Sequence, residues 1–389
     1  MDQIKTYQKK DSFLKLENQN QKQEHETTVL VTKILQILEN DKLLKLLNET
    51  ELEIINKIKT DLRKKDKGIN SDTYRLKKNT IAEINSFNHE TEIINYLIHR
   101  YKYEIFPITK EILDFPPLIQ IEPSSICNFR CVFCFETDKT FTDKKNGHMG
   151  TMKLDLFKKI IDEIEGKVQF VTLASRGEPL VSKDINEMIK YTSGKFLNLK
   201  INSNASLLNE EKIHTILSSN VKTMVFSADA ADSDLYKKLR VNGSLEKTVS
   251  NIKKFKEIQK KHYSSSKIIT RVSGVKFSKE QNFESMMKLW GDLVDQVAFV
   301  DYNPWENSYE KKPNGLNTPC SDLWRRMFIW WDGKVNPCDV DYKSKLSTGN
   351  VENETIKNLW LSSQYQSLRE KHLKNMRQTI SPCNACTVV

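Results

Sequence analysis

Three cysteines fall between Cys127 and Cys134 at C-x3-C-x2-C spacing, directly after the apolar run Pro117-Leu118-Ile119-Gln120-Ile121-Glu122-Pro123. A tight loop leaving the end of a buried strand can aim all three thiols at one inorganic centre. Three thiolates are one short of closing a four-site centre, so a 4Fe-4S cluster held here keeps one iron open to another molecule. The spacing also leaves open a zinc knot completed by a distant Cys or His.

The remaining cysteines form a second group, Cys320, Cys338, Cys383 and Cys386, giving seven in all. An odd count leaves disulfides alone unbalanced, and three plus four fits one open and one closed cluster with no thiol left over. Such groups read as metal ligands in a reducing compartment. No run of 18 apolar residues occurs, and Met1-Asp2-Gln3-Ile4-Lys5 lacks the basic-then-apolar order of a secretory signal, so the expectation is a cytoplasmic protein without a membrane partner. The net charge is +10, but lysine is spread along the chain beside abundant Glu and Asn. A solvated surface accounts for that better than a nucleic-acid site, and attraction to anionic metabolites stays compatible with it.

Residues 1–24 are polar and expected to be frayed or weakly helical. From Thr27, Val29, Leu30, Ile34, Ile37 and Leu38 recur at helical spacing, Leu43, Leu44 and Leu47 extend the pattern, and Thr50-Glu51-Leu52-Glu53 reads as a capping box ahead of Ile54, Ile55 and Ile58. A further helical run holds Leu97 and Ile98. The expectation is a helical module over 1–106, either a docking appendage or a cap packed on the main domain. From Pro107 short β-branched runs alternate with amphipathic stretches: Leu118 to Ile121, Gln169 to Leu173, Leu199 to Ile201, Met224 to Ser227, Ile268 to Val272 and Val297 to Val300 as strands, with Leu154 to Ile164, Asp184 to Tyr191, Glu210 to Leu217 and Leu245 to Lys260 between them. Six such units over 107–310 predict an α/β fold with a parallel sheet wrapped by helices, ligands lying beyond the carboxyl ends of its strands. The last segment, 311–389, contains Met327-Phe328-Ile329-Trp330-Trp331, the turn signal Asp332-Gly333 and Lys334-Val335-Asn336, a hairpin that brings Cys320 and Cys338 to one end.

The cysteine spacing resembles that of the radical S-adenosylmethionine (SAM) enzymes, and the strand-end motifs fall in that family's order. The resemblance implies a partial (β/α)6 barrel in which the open iron chelates the amino and carboxylate groups of SAM, and in which SAM is cleaved to a 5'-deoxyadenosyl radical. Arg176-Gly177-Glu178-Pro179 is similar to the family's G-G-E-P segment, with Arg176 replacing the first glycine; this implies Gly177 at the backbone approach to the ligand and Glu178 as acceptor for the SAM ammonium. Asn202-Ser203-Asn204 matches a T-N-G-like turn, Ser227-Ala228-Asp229 resembles an S-I-D segment, and Arg240 ends a family-like string that begins at Tyr236, placed to meet the SAM carboxylate or a structural acid. Phe133 matches an aromatic whose backbone lies near adenine. Arg271 and Ser273 are candidates by position alone. C-x12-G-x4-C from Cys320 to Cys338, followed by Cys383-x2-Cys386, resembles the opening of SPASM and twitch modules and implies one auxiliary 4Fe-4S cluster, a structural zinc site being the alternative.

What the resemblance implies about function is hydrogen-atom abstraction from an unactivated C–H bond, supplied with electrons by a flavodoxin- or ferredoxin-type reductant. All seven cysteines are assigned to clusters, so no spare thiol can return a hydrogen atom, and the inventory favours oxidation over epimerisation. The layout is similar to an alcohol dehydrogenase of aminocyclitol biosynthesis, which implies a small carbohydrate-like substrate. Rival readings are a SPASM-type enzyme that modifies a peptide docked on the N-terminal helices, a sugar epimerase, and an iron–sulfur electron-transfer protein. Tyr302, Trp305 and Tyr309 sit where a barrel mouth is covered, either packing on a sugar or stapling two modules. Substrate, reductant and oligomeric state are not written in the sequence.

Overall fold

The computed structural model describes residues 20–64 and 72–389. The expectation for residues 1–24 lies outside the described residues up to residue 19, and a helix, Asn20–Ile37, begins at their edge. All six expected strands form: β1 (Leu118–Ile121), β2 (Phe170–Leu173), β3 (Asn198–Ser203), β4 (Thr223–Ser227), β5 (Ile269–Lys276) and β6 (Gln296–Asp301), parallel and neighbouring in that order. Three more, β7 (Arg326–Ile329), β8 (Lys334–Asn336) and β9 (Gly349–Asn350), extend the sheet on the far side of β1, in the order β9-β8-β7-β1-β2-β3-β4-β5-β6. The sheet is open among the described residues, as expected for six barrel strands rather than eight.

Alternation along each strand sorts the side chains. Ile119, Ile121, Val171, Leu173, Leu199, Ile201, Met224, Phe226, Val272, Val297 and Phe299 join one apolar core with the surrounding helices. In the helix Leu154–Ile164 the buried residues are Phe157, Ile160, Ile161 and Ile164, a single stripe at three- and four-residue spacing. Gln120, Thr172, Lys200, Asn202, Val225, Ser227 and Arg271 occupy the intervening positions and so take the opposite face, which is largely polar.

The expected hairpin is present, with Gly333 at φ 80° in its turn and Val335 paired with Ile329. Its first strand does more than fold back on itself. β7 runs parallel to β1 in the register Leu118 to Arg326 through Ile121 to Ile329, so the C-terminal segment continues the barrel sheet.

The N-terminal helices pack beneath the amino ends of the barrel strands. His99 stacks on Phe170 at the start of β2 with ring centroids 3.5 Å apart, Lys222 just before β4 pairs with Glu92 at 3.7 Å, and Leu118 and Leu197 pack against the helices' own apolar core. The cap alternative therefore describes the observed packing. Two local expectations are corrected. The third helix is Glu49–Arg63, and its capping box is formed by Asn48, whose side chain accepts from Glu51 N at 3.0 Å while Glu51 accepts from Asn48 N at 3.1 Å; Thr50 is inside the helix. The helix around Leu97 and Ile98 runs from Glu90 through Pro107 to Thr109, past the expected break.

Candidate active site

The cysteine loop leaves the carboxyl end of β1 and is fastened at both sides. Arg130 and Cys131 pair antiparallel with Val241 and Arg240, and Val132 N donates to Leu239 O at 3.1 Å. Burial pushes the thiols of Cys127, Cys131 and Cys134 up; neighbouring thiols add to the shift at Cys127 and Cys134, while Arg240 opposes it at Cys131. Such a set favours a bound cation, which would offset both costs of holding three thiolates together.

Glu178 is 3% exposed and holds the segment above the loop rigid. Its Oε1 accepts from Leu180 N at 3.1 Å and from Ser203 Oγ at 2.8 Å, and its Oε2 from Asn204 N at 2.7 Å. Burial pushes its carboxyl up, and these three donors oppose the shift. A carboxylate offers about four lone-pair sites, so three donors leave room for one more. Gly177 approaches the chain itself: a Cβ there would come within 2.5–2.6 Å of Ser124 O, Ser125 C and Ile126 O, and Glu178 N donates to Ile126 O at 3.0 Å. The glycine thus clamps the Gly-Glu-Pro turn onto the segment entering the cysteine loop.

A second tie crosses from β3. Asn204 Nδ2 donates to Asn128 Oδ1 at 2.9 Å, Asn128 Nδ2 to Ser206 Oγ at 2.8 Å, and Ser206 Oγ to Asn204 Oδ1 at 2.7 Å, closing a ring between the strand end and the cysteine loop. Asn202 Oδ1 is buried without a partner on the polar face. Ser227 ends β4 half-buried beside Ser273. Arg240 has found a structural acid: its Nε lies 2.5 Å from Asp229 Oδ2, Asp229 Oδ1 accepts from Val275 N at 2.6 Å, and Arg240 Nη1 reaches Cys131 Sγ at 3.8 Å. Phe133 is half-buried, with Phe277 beyond it at 5.5 Å and Tyr302 next to Phe277 at 5.0 Å, both just past the ends of β5 and β6.

Arg271 is a correction. β5 continues four residues past the expected end at Val272, so Arg271 lies low in the strand; its Nη2 is 3.7 Å from Glu83 on the N-terminal helices and its Nε donates to Gln296 Oε1 at 2.8 Å. Its guanidinium is thereby held on the side of the N-terminal helices, not at the strand end where its position had suggested a role.

Sequence reasoning missed the pair beneath the turn. Arg176 and Glu122 are both buried and joined in a bidentate contact, Nε to Oε2 at 2.8 Å and Nη2 to Oε1 at 2.5 Å, with Arg176 Nη1 donating to Tyr342 O at 2.8 Å. The guanidinium lies over Trp330 at 4.3 Å. The residue standing in place of the family's first glycine ties β1, the Gly-Glu-Pro turn and the C-terminal segment together. An acid inside an otherwise apolar strand end was the available signal.

Cys320, Cys338, Cys383 and Cys386 line one cavity with Trp305, Val340, Arg377, Pro382 and Val388. Arg377, fully buried, donates to Cys383 O, Thr318 O and Cys386 O and so braces the backbones of two of these cysteines and the segment leading into Cys320. Burial lifts all four thiols, Cys320 to about 12, and for Cys338 the other three thiols add to the shift. Among the described residues no three Cys, His, Asp or Glu side chains form a ready site for a single metal ion. The donor set of four thiols around one cavity, whose wall also holds Asp322, Arg325, Arg326 and Asp339, fits a closed iron–sulfur cluster.

Residues 121–289 match the model of the radical SAM superfamily, and residues 320–387 that of the SPASM iron-sulfur cluster-binding domain. The segment 121–289 is thus similar to the radical SAM superfamily, whose domain binds SAM and a 4Fe-4S cluster. The segment 320–387 is similar to the SPASM domain, which binds auxiliary iron–sulfur clusters. The chain is similar to the AdoMet-dependent heme synthase of Methanosarcina barkeri, 26% identical over 189 residues that span 48% of this chain and 50% of that protein, so the chain spans about half the length of this relative. Among solved structures, SuiB of Streptococcus suis bound to precursor peptide SuiA shares the fold at 17% identity and TM-score 0.54, covering 87% of this chain and 81% of that one. BtrN in complex with AdoMet and 2-DOIA aligns at 17% identity and TM-score 0.48 over 70% of this chain and 93% of that chain. No helix among the described residues is long and apolar enough to cross a membrane.

Proposed function

We propose that this protein is a radical SAM dehydrogenase that oxidises an alcohol of a small sugar- or cyclitol-type substrate. The observation that carries the reading is the division of the seven thiols: three around the loop after β1, four around one cavity, none elsewhere. A cluster held by Cys127, Cys131 and Cys134 would supply the electron that generates a radical from SAM, and one held by Cys320, Cys338, Cys383 and Cys386 would supply an electron acceptor. The chain's own residues set the geometry. Glu178, Ser203 and Asn204 fix the turn over the loop, and Glu178's remaining acceptor site suits the SAM ammonium. Asn202 Oδ1 and Ser227 offer polar groups at neighbouring strand ends, and Asp229 orients Arg240 beside Cys131. Phe133, Phe277 and Tyr302 give the mouth an aromatic wall on which the C–H face of a ring can pack.

No thiol remains to return a hydrogen atom, which speaks against epimerisation. The N-terminal helices sit at the amino ends of the strands, opposite the mouth, which speaks against their presenting a peptide there. A flavodoxin- or ferredoxin-type reductant completes the scheme.

The test is turnover of reconstituted protein with SAM and candidate cyclitols and sugars in heavy water. The expected product is two hydrogens lighter than the substrate, with one 5'-deoxyadenosine formed per product. A product of unchanged oxidation level carrying one deuterium on carbon sinks the dehydrogenase reading.

A further inference from the structure

Trp305 lies in the linker after β6, between the two cysteine sets. Its indole lines the cavity of Cys320, Cys338, Cys383 and Cys386, and on its other side it packs with Phe135, Phe141 and Tyr342, the cluster that also receives Cys134. Its ring is stacked on Phe135, 17° from coplanar at 6.5 Å between centroids. The linker is pinned around it: Thr387 Oγ1 donates to Asn303 Oδ1 at 2.7 Å, Ser308 Oγ to Val340 O at 3.1 Å, and Tyr309 OH to Asp341 Oδ1 at 2.6 Å. Of the polar side chains lining that cavity, Trp305 has the one buried donor, Nε1, with no partner among the described residues. Buried donors are rarely left unpaired, and an unpaired one signals a missing acceptor.

We propose that the Trp305 indole N–H donates to a sulfur of the cluster held by Cys320, Cys338, Cys383 and Cys386, and so raises the reduction potential of that cluster. Reduction adds one electron and makes the sulfurs better acceptors, so a fixed donor stabilises the reduced form more than the oxidised one. Trp305 is then a positioning residue that makes this cluster a readier electron acceptor. The inference is independent of the substrate.

The measurement uses full-length protein carrying Cys127→Ala, Cys131→Ala and Cys134→Ala, reconstituted with iron and sulfide so that only the second cluster is present. Its reduction by dithionite is followed by electron paramagnetic resonance with and without Trp305→Phe, which keeps a ring against Phe135 and deletes the donor. The equilibrium constant for reduction should fall on the order of tenfold, a shift of about 59 mV to lower potential for a one-electron couple. An unchanged midpoint overturns the proposal. A second measurement covers the case in which the Phe variant fails to assemble: protein with Trp305 intact, grown on tryptophan labelled with 15N in the indole ring, should show 15N hyperfine coupling to the reduced second cluster. Absence of that coupling overturns the proposal equally.

Discussion

Glu178 shows how a residue singled out by its motif can carry structural work within the chain as well. Its carboxylate serves Leu180, Ser203 and Asn204 within the chain before it serves any ligand. Glu178→Ala should therefore lower both SAM affinity and stability, the latter by about 1–3 kcal/mol for buried donors left unsatisfied. Calorimetric SAM titration and urea unfolding read the two losses separately; a stability unchanged within error would contradict the clamp. Arg176 is the sharper case. Arg176→Ala strands the Glu122 carboxylate in the interior and should cost about 3–5 kcal/mol by urea unfolding, whereas replacing both partners with neutral residues of similar volume should cost much less. The cluster cysteines were legible in the sequence because their spacing alone defines a chelate. The Arg176–Glu122 pair was not, because its partners are 54 positions apart and nothing local announces that they meet.

Among the elements, the barrel strands were readable from their β-branched runs to within two residues at each end, apart from the C-terminal end of β5. β5 outlasts its apolar stretch because Ser273 and Gly274 continue the ladder with β6, and that extension moves Arg271 from the mouth to the floor. Gly274 is needed there, since a Cβ would come within 2.2 Å of Ala228 O. The cap helix Glu90–Thr109 has its own titration. Burial, then the neighbouring positive charges of Arg100 and Lys102, holds the imidazole of His99 well below its ordinary value where it stacks on Phe170. Its folded value is depressed, so the stability it contributes is fully present above about pH 6.5, the unfolded value, and is lost as pH falls below that, when the unfolded chain takes up a proton the folded chain refuses. His99→Phe keeps a ring against Phe170 and should flatten this acid limb in a series of unfolding curves from pH 7.5 to 5. An unaltered slope would contradict the assignment.

For the whole molecule, the cysteine arithmetic gives a direct count. Protein reconstituted without oxygen should hold about eight irons per chain, and the Cys127→Ala, Cys131→Ala, Cys134→Ala variant about four. Stoichiometric zinc in anaerobically isolated protein would overturn the two-cluster assignment. That a C-terminal hairpin would exist was legible from Asp332-Gly333. That it would join the barrel was not, because strand partners in a parallel sheet are chosen by packing and carry no local signal.

The parallel pairing of β7 with β1 also governs how the molecule is made. On the ribosome β1 is complete early, yet the neighbour for its outer edge is synthesised about two hundred residues later. Until then the nascent chain exposes an unpaired strand edge beside the loop that must receive a cluster, the kind of edge that recruits other chains. Long-range pairing of this sort is slow to form. Overproduction should therefore yield aggregate in proportion to how far translation outruns completion of the C-terminal segment, and truncation after residue 310 should leave an insoluble chain instead of a smaller working barrel.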